Sequence, residues 1–202
     1  MSLRVRDKNM RPTQMRLEEA ENTIRSPSFW RNDRQNNDIG YYLFDYPAED
    51  ELVVREWVEY LQRRSNSGSQ GFELIVFDLY DIIIEIIENK GYLEHCFRLE
   101  EKSGIDRITV AVGRTLKLSG DLGVVVEYIR ERMQNEAVIL LKGLGKCYPI
   151  LRAHKIINSL HQMLVNAPVV LLYPGKYEEK QLLLFGSEEE DNYYWVKRLV
   201  KN

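Results

Sequence analysis

Four short apolar runs, each too brief for a helix and each stopped by a polar or Gly/Pro step, constrain this chain more than any other feature. Tyr41-Tyr42-Leu43-Phe44 runs into Asp45, residues 72–77 into Asp78, residues 137–141 into Lys142-Gly143, and residues 168–172 into Tyr173-Pro174-Gly175. Runs of this length, rich in β-branched and aromatic residues and apolar but for Glu73, read as strands buried on both faces. Helical patterning follows each of the first three. Strands alternating with helices imply a parallel sheet covered on both sides, with right-handed crossovers. The expected fold class is therefore α/β: three layers, a mostly parallel sheet of about five strands, and helices on both faces.

The spacing places the helices. Met15, Leu17, Ala20 and Ile24 give a thin apolar stripe over residues 13–25, expected to pack loosely or to meet a partner. Pro47 and the acidic Glu49, Asp50 and Glu51 suit a helix entry. The helix that follows reaches about residue 64, with Val53, Val54, Trp57, Val58, Tyr60 and Leu61 as its apolar face. Residues 65–71 form the clearest loop. The isoleucine-rich stretch 82–87, interrupted by Glu85 and Glu88, reads as a buried helix capped by Asp81 and ended at Gly91. It opens a helical insertion over about 79–133, with breaks near Gly104 and at 119–121, where Asp121 suits an N-cap. A helix follows Pro149 to about residue 165. A short strand covers 181–185, and the acidic run from Glu188 to Asp191 is expected to start a last helix carrying Tyr193, Tyr194, Val196 and Leu199. The expected organisation is a flexible basic arm, 1–12, and one α/β domain, 13–202.

Composition excludes several classes. A net charge of −3 with 29% charged residues argues against a wholly basic nucleic-acid-binding body. Residues 1–16 carry five basic groups and one acidic, so nucleic-acid contact by the arm stays a minor reading beside a solvated tail. No apolar run approaches the roughly 18 residues that a membrane span needs, and the N-terminus lacks a signal-peptide pattern. The cytoplasm is the expected compartment, and Cys96 and Cys147 read as buried thiols rather than a disulfide.

In a parallel sheet the strand ends gather on one edge, where open α/β folds bind ligands. That edge supplies the candidate functional residues Asp45, Asp78, Gly143, Gly145, Lys146, Tyr173 and Lys176, with Arg152 and His154 from the helix after the third strand. The plainer reading is that the aspartates cap helices and the glycines make turns. Gly143-Leu144-Gly145-Lys146 after a strand invites a phosphate-loop reading, which fails. The cradle G-x-x-x-x-G-K-[ST] is too short here, and Cys147 stands where a hydroxyl would hold Mg²⁺. A dinucleotide fingerprint would need a glycine where Tyr148 stands. The layout is thus that of a P-loop NTPase lacking the phosphate loop. His154 and His161 share a helix face with Asn158 between them, without further convergent zinc ligands. Adjacent His95 and Cys96 point in different directions and make no dyad. No catalytic residue, metal or cofactor is called for. Among the twelve tyrosines, Tyr148, Tyr177, Tyr193 and Tyr194 sit near element ends and are the interface candidates.

The same segments carry a family likeness. Phe44-Asp45-Tyr46-Pro47 with Glu49-Asp50-Glu51, Phe77-Asp78-Leu79-Tyr80, Gly143-Leu144-Gly145-Lys146-Cys147-Tyr148-Pro149, Arg152-Ala153-His154, Tyr173-Pro174-Gly175-Lys176-Tyr177, Leu184-Phe185-Gly186 and Asp191-Asn192-Tyr193-Tyr194 together resemble the BrxB family of bacteriophage exclusion (BREX) systems. The likeness covers about residues 13–200. It implies a bacterial antiphage-defence component working beside a large ATPase, an alkaline-phosphatase-like protein and a DNA methyltransferase, in systems that methylate host adenines and block phage DNA replication. It carries over no catalytic residues.

The expected function is a non-enzymatic adaptor in such an assembly. The alternative is a divergent nucleotide-binding or hydrolytic domain using Asp45, Asp78 and Lys146 at the strand ends.

Overall fold

The computed structural model describes residues 12–26, 29, 40–66, 68, 72–117, 123–133, 137–163, 167–178, 181–185, 188–190 and 196–201. Strands β1 (Tyr41–Tyr46), β2 (Glu73–Asp78), β3 (Ala137–Lys142) and β4 (Val169–Glu178) pair in parallel in the order β2-β3-β4-β1. A two-residue strand, β7 (Lys197–Arg198), adds to the outer side of β1, again in parallel. β5 (Gln181–Leu184) pairs antiparallel with the last part of β4, and β6 (Glu188–Glu190) pairs antiparallel with β5. The architecture is α/β with a mostly parallel sheet flanked by helices.

Side-chain alternation along the strands builds two cores. On one face Leu43, Ile139, Leu141, Val169 and Leu171 meet helices α3 (Leu79–Asn89), α4 (Leu93–Thr115), α5 (Gly123–Arg132) and α7 (Ala153–Met163). On the other, Phe44, Val138, Leu140, Val170 and Leu172 meet α1 (Thr13–Arg25) and α2 (Glu51–Asn66). Successive residues of β1, β3 and β4 therefore serve opposite cores, which is why their runs are apolar without alternation. Among the described residues no helix is long and apolar enough to cross a membrane.

Several expectations change. Helix α1 has the expected bounds but does not pack loosely: Leu17, Ala20 and Ile24 are buried, and Arg16 is fully enclosed beneath β1. Only Met15 of the stripe faces water. Asp78, not Asp81, caps α3, because its carboxylate accepts from the backbone N–H groups of Tyr80 and Asp81. The break at Gly104 is present as a kink inside α4, at φ 74°. Asp121 and, apart from Pro12, the basic arm 1–12 lie outside the described residues.

Two strand readings also change. The Tyr173-Pro174-Gly175-Lys176-Tyr177 segment is strand, not turn. β3 leaves β4 after Leu141↔Leu171, and the stretch of β4 from Gly175 to Glu178 is taken up by β5. The expected last helix is absent where the chain is described. Residues 188–190 pair with β5, and residues 197–198 pair with β1. Available backbone partners on existing strands outweigh the helical spacing of Val196 and Leu199.

A cleft at the carboxyl edge of the sheet

The chain leaves β1 toward the α2 face and leaves β3 toward the α7 face, and β4 lies between these two strands. Neighbouring connections that part to opposite faces open a crevice above the strand between them, the switch point of an open α/β sheet. Here the crevice is an open cleft of about 190 Å³. The end of β1 supplies Tyr46, the turn after it Ala48, and the first turns of α2 Glu51 and Arg55; the glycine turn after β3 and the helical turn it opens supply Gly143, Leu144, Gly145 and Lys146; Pro174 and Phe185 close the third side.

The glycine turn forms because Gly143 takes φ 82°, a left-handed conformation that other residues rarely adopt. Its missing side chain matters equally. A Cβ there would sit 2.2 Å from Oδ1 of Asp78, so the carboxylate lies directly against the turn. The single-turn helix α6 (Leu144–Cys147) follows and aims Lys146 back at that carboxylate. Lys146 Nζ lies 2.7 Å from Asp78 Oδ2 and 3.5 Å from Asp81 Oδ1, and Lys142 Nζ is 3.6 Å from Asp78 Oδ2. Burial pulls the Lys146 ammonium toward deprotonation, but the hydrogen bond and charge of Asp78, aided by Asp81, outweigh it and raise its pKa. Across the cleft Tyr46 Oη donates to Glu51 Oε2 at 2.6 Å, and Arg55 Nε donates to Glu51 Oε1 at 2.8 Å. Burial, reinforced by Glu51, holds the Tyr46 phenol protonated well above its ordinary range. The Glu51 hydrogen bond likewise raises Arg55.

Beneath the turn, Cys147 Sγ donates to the Gly143 carbonyl at 3.3 Å. Burial, then the Asp78 charge, pushes its thiol from 9.0 up to about 12. The thiolate is the reactive form, so Cys147 should resist alkylation at pH 8 in the native protein and react once it is unfolded. Mass spectrometry of native and denatured samples checks this. The raised value also means that the unfolded chain loses this proton first, so the stability contribution falls as pH climbs from 9.0 toward about 12.

Of the residues singled out in the sequence, Asp78, Gly143, Gly145 and Lys146 come together here. Asp45, the penultimate residue of β1, lies on the same edge, yet turns away into a buried ion-pair hub. Its Oδ1 takes Arg16 at 2.9 Å; its Oδ2 takes Arg198 at 3.0 Å and the Tyr177 backbone N–H at 3.1 Å. Tyr177 joins this hub while half-buried, its Oη donating to the Val196 carbonyl at 3.2 Å with the Arg198 guanidinium over its ring. Tyr173 is fully buried in the core. Arg152 is exposed and His154 half-buried at the start of α7, outside the cleft lining, and Lys176 pairs with Glu178 at 4.0 Å. Tyr148 packs edge-on against Phe185, with centroids 6.4 Å apart. Tyr193 and Tyr194 lie outside the described residues.

Sequence reasoning missed Tyr46, Glu51, Arg55 and Phe185 as cleft residues. Their signal was present, because all but Arg55 fall within the segments that carry the family likeness. Nothing in local spacing showed that the turn after β5 folds back onto the turn after β3.

The model of the family described as "BREX protein BrxB" matches residues 75–199. A Bacillus cereus (strain H3081.97) protein named "BREX protein BrxB" is 40% identical over 95% of this chain and 99% of its own length. One of the same name from Escherichia coli O9:H4 (strain HS) is 29% identical over 92% of this chain and 90% of its own. No solved structure matches. With the family model matching residues 75–199 and a relative so named 40% identical over 95% of its length, the chain belongs to the BrxB family of BREX proteins.

Proposed function

We propose that this protein serves phage defence as a non-enzymatic adaptor of a BREX assembly, presenting the carboxyl edge of its sheet to another component. The observation that supports this is the state of the glycine turn. Where a nucleotide-binding turn keeps its lysine for phosphate, Lys146 is held by Asp78 and Asp81, and the Asp78 carboxylate lies against Gly143. A phosphate entering here would meet fixed negative charge rather than donors awaiting it. The partners on this reading are the other BREX components: the large ATPase, the alkaline-phosphatase-like protein and the DNA methyltransferase.

The test is co-purification of the tagged chain with the products of its neighbouring BREX genes, alongside calorimetry with ATP and Mg²⁺. Co-purification is expected with the wild type and is expected to fall at least tenfold for Phe185→Asp, which puts a charge on the cleft wall; no heat is expected with the nucleotide. A chain that associates with none of these products sinks the adaptor reading. Saturable ATP binding lost in Lys146→Ala would replace it with the nucleotide-binding alternative.

A further inference from the structure

We infer that the cleft is a pocket for one aromatic side chain, presented by an uncharged stretch of a partner protein. The inference rests on the adaptor reading and gives it a contact chemistry. Size comes first. At about 190 Å³ the cleft is smaller than the roughly 300–1,000 Å³ of small-molecule sites, and suits a single large side chain. Its walls come next: Tyr46, Ala48, Leu144, Pro174 and Phe185 give it ring and aliphatic surface. Charge then restricts the occupant. Each cation of the lining already faces a carboxylate of this chain, Arg55 on Glu51 and Lys146 on Asp78. A charged occupant would meet both signs side by side, Glu51 with Arg55 and Asp78 with Lys146, and gain little net attraction, whereas an uncharged ring leaves both pairs as they are.

Phe185 supplies the independent observation. It stands at φ 51°, a conformation costly for a bulky residue, and the residue is 36% exposed. The turn is otherwise set by the backbone, the Phe185 N–H donating to the Pro174 carbonyl at 3.0 Å. Glycine would make that turn without strain. A strained backbone that holds an aromatic ring at the mouth of a cleft, braced edge-on by Tyr148, is better accounted for by what the ring contacts than by the turn itself. Aromatic side chains seated in such pockets carry most of the energy of many interfaces.

The probe is N-acetyl-L-tryptophan amide, titrated into the full-length, nitrogen-15-labelled chain. Saturable changes are expected at the amide signals of Gly145, Lys146 and Phe185. Affinity should fall at least tenfold in Ala48→Trp, which fills the cleft from within, and in Phe185→Gly. The glycine variant should melt no lower than wild type, because it relieves the backbone. No saturable change up to the probe's solubility overturns the inference, and so does binding that survives both substitutions. If the probe binds as expected while the chain co-purifies with no BREX product, the adaptor reading fails and the pocket stands. If the chain co-purifies and the probe never binds, the pocket fails and the adaptor reading stands.

Discussion

Asp45→Ala should be among the most damaging substitutions in this protein, lowering the unfolding free energy by about 3–5 kcal/mol. Asp45 is 1% exposed and Arg16 is 0% exposed, so neither charge has water to fall back on. Removing the carboxylate takes from the enclosed Arg16 guanidinium, which lies 4.9 Å from the centroid of the Phe44 ring, the negative charge it faces at 2.9 Å. It also takes away the acceptor of the Tyr177 N–H. The hub joins α1, β1, β4 and β7, so its loss should loosen both the first described helix and the last strand. Arg198, partly exposed, can turn to solvent and will suffer less. For a chain of this length the loss corresponds to a melting midpoint lower by roughly 6–20 °C. The paired change Arg16→Met with Asp45→Leu should recover much of it, since a buried ion pair replaced by apolar groups of similar size is often tolerated. Urea unfolding of the single and paired variants measures both effects. A loss below about 1 kcal/mol, the scale of an exposed pair, would refute the hub as described.

Gly143→Ala should cost about 2–4 kcal/mol, the sum of a left-handed backbone forced on alanine and a steric overlap. The overlap is with Asp78 Oδ1 at 2.2 Å and Cγ at 2.9 Å. That carboxylate has little room to retreat, because it caps α3 and holds Lys146. Combining Gly143→Ala with Asp78→Ala should therefore cost less than the sum of the two, by about 1–3 kcal/mol, since the second change removes what the first collides with. A double-mutant cycle in urea checks the coupling; additive costs would mean that the two residues are not in contact. Gly145→Ala meets the Pro174 ring at 2.9 Å and the Phe185 ring at 3.2 Å, so it should narrow the cleft while leaving the Asp78 cap in place.

The parallel sheet was legible from the chain because burial on both faces leaves a simple trace, a short apolar run with no polar beat. The turn residues Asp78, Gly143, Gly145 and Lys146 were legible for the same reason: in a parallel sheet every strand end points to one edge. The role of Asp45 was not. A strand-end aspartate looks the same whether it faces solvent or two arginines, and Arg16 and Arg198 lie 29 and 153 residues from it in sequence. The acidic run at 188–190 misled in a comparable way. Charge at a helix start and charge on an edge strand have the same composition, and only the free side of β5 decided between them.

Local pattern thus determined where β1, β2, β3 and the start of β4 lie and where the helices between residues 13 and 163 run, because those choices depend on periodicity and on backbone preferences a few residues long. Tertiary structure alone decided the strand order, the burial of α1 over the Asp45 hub, and the meeting of Phe185 with the Gly145 turn. Those depend on contacts between segments far apart in the chain, whose energies leave no mark on the spacing of either segment by itself.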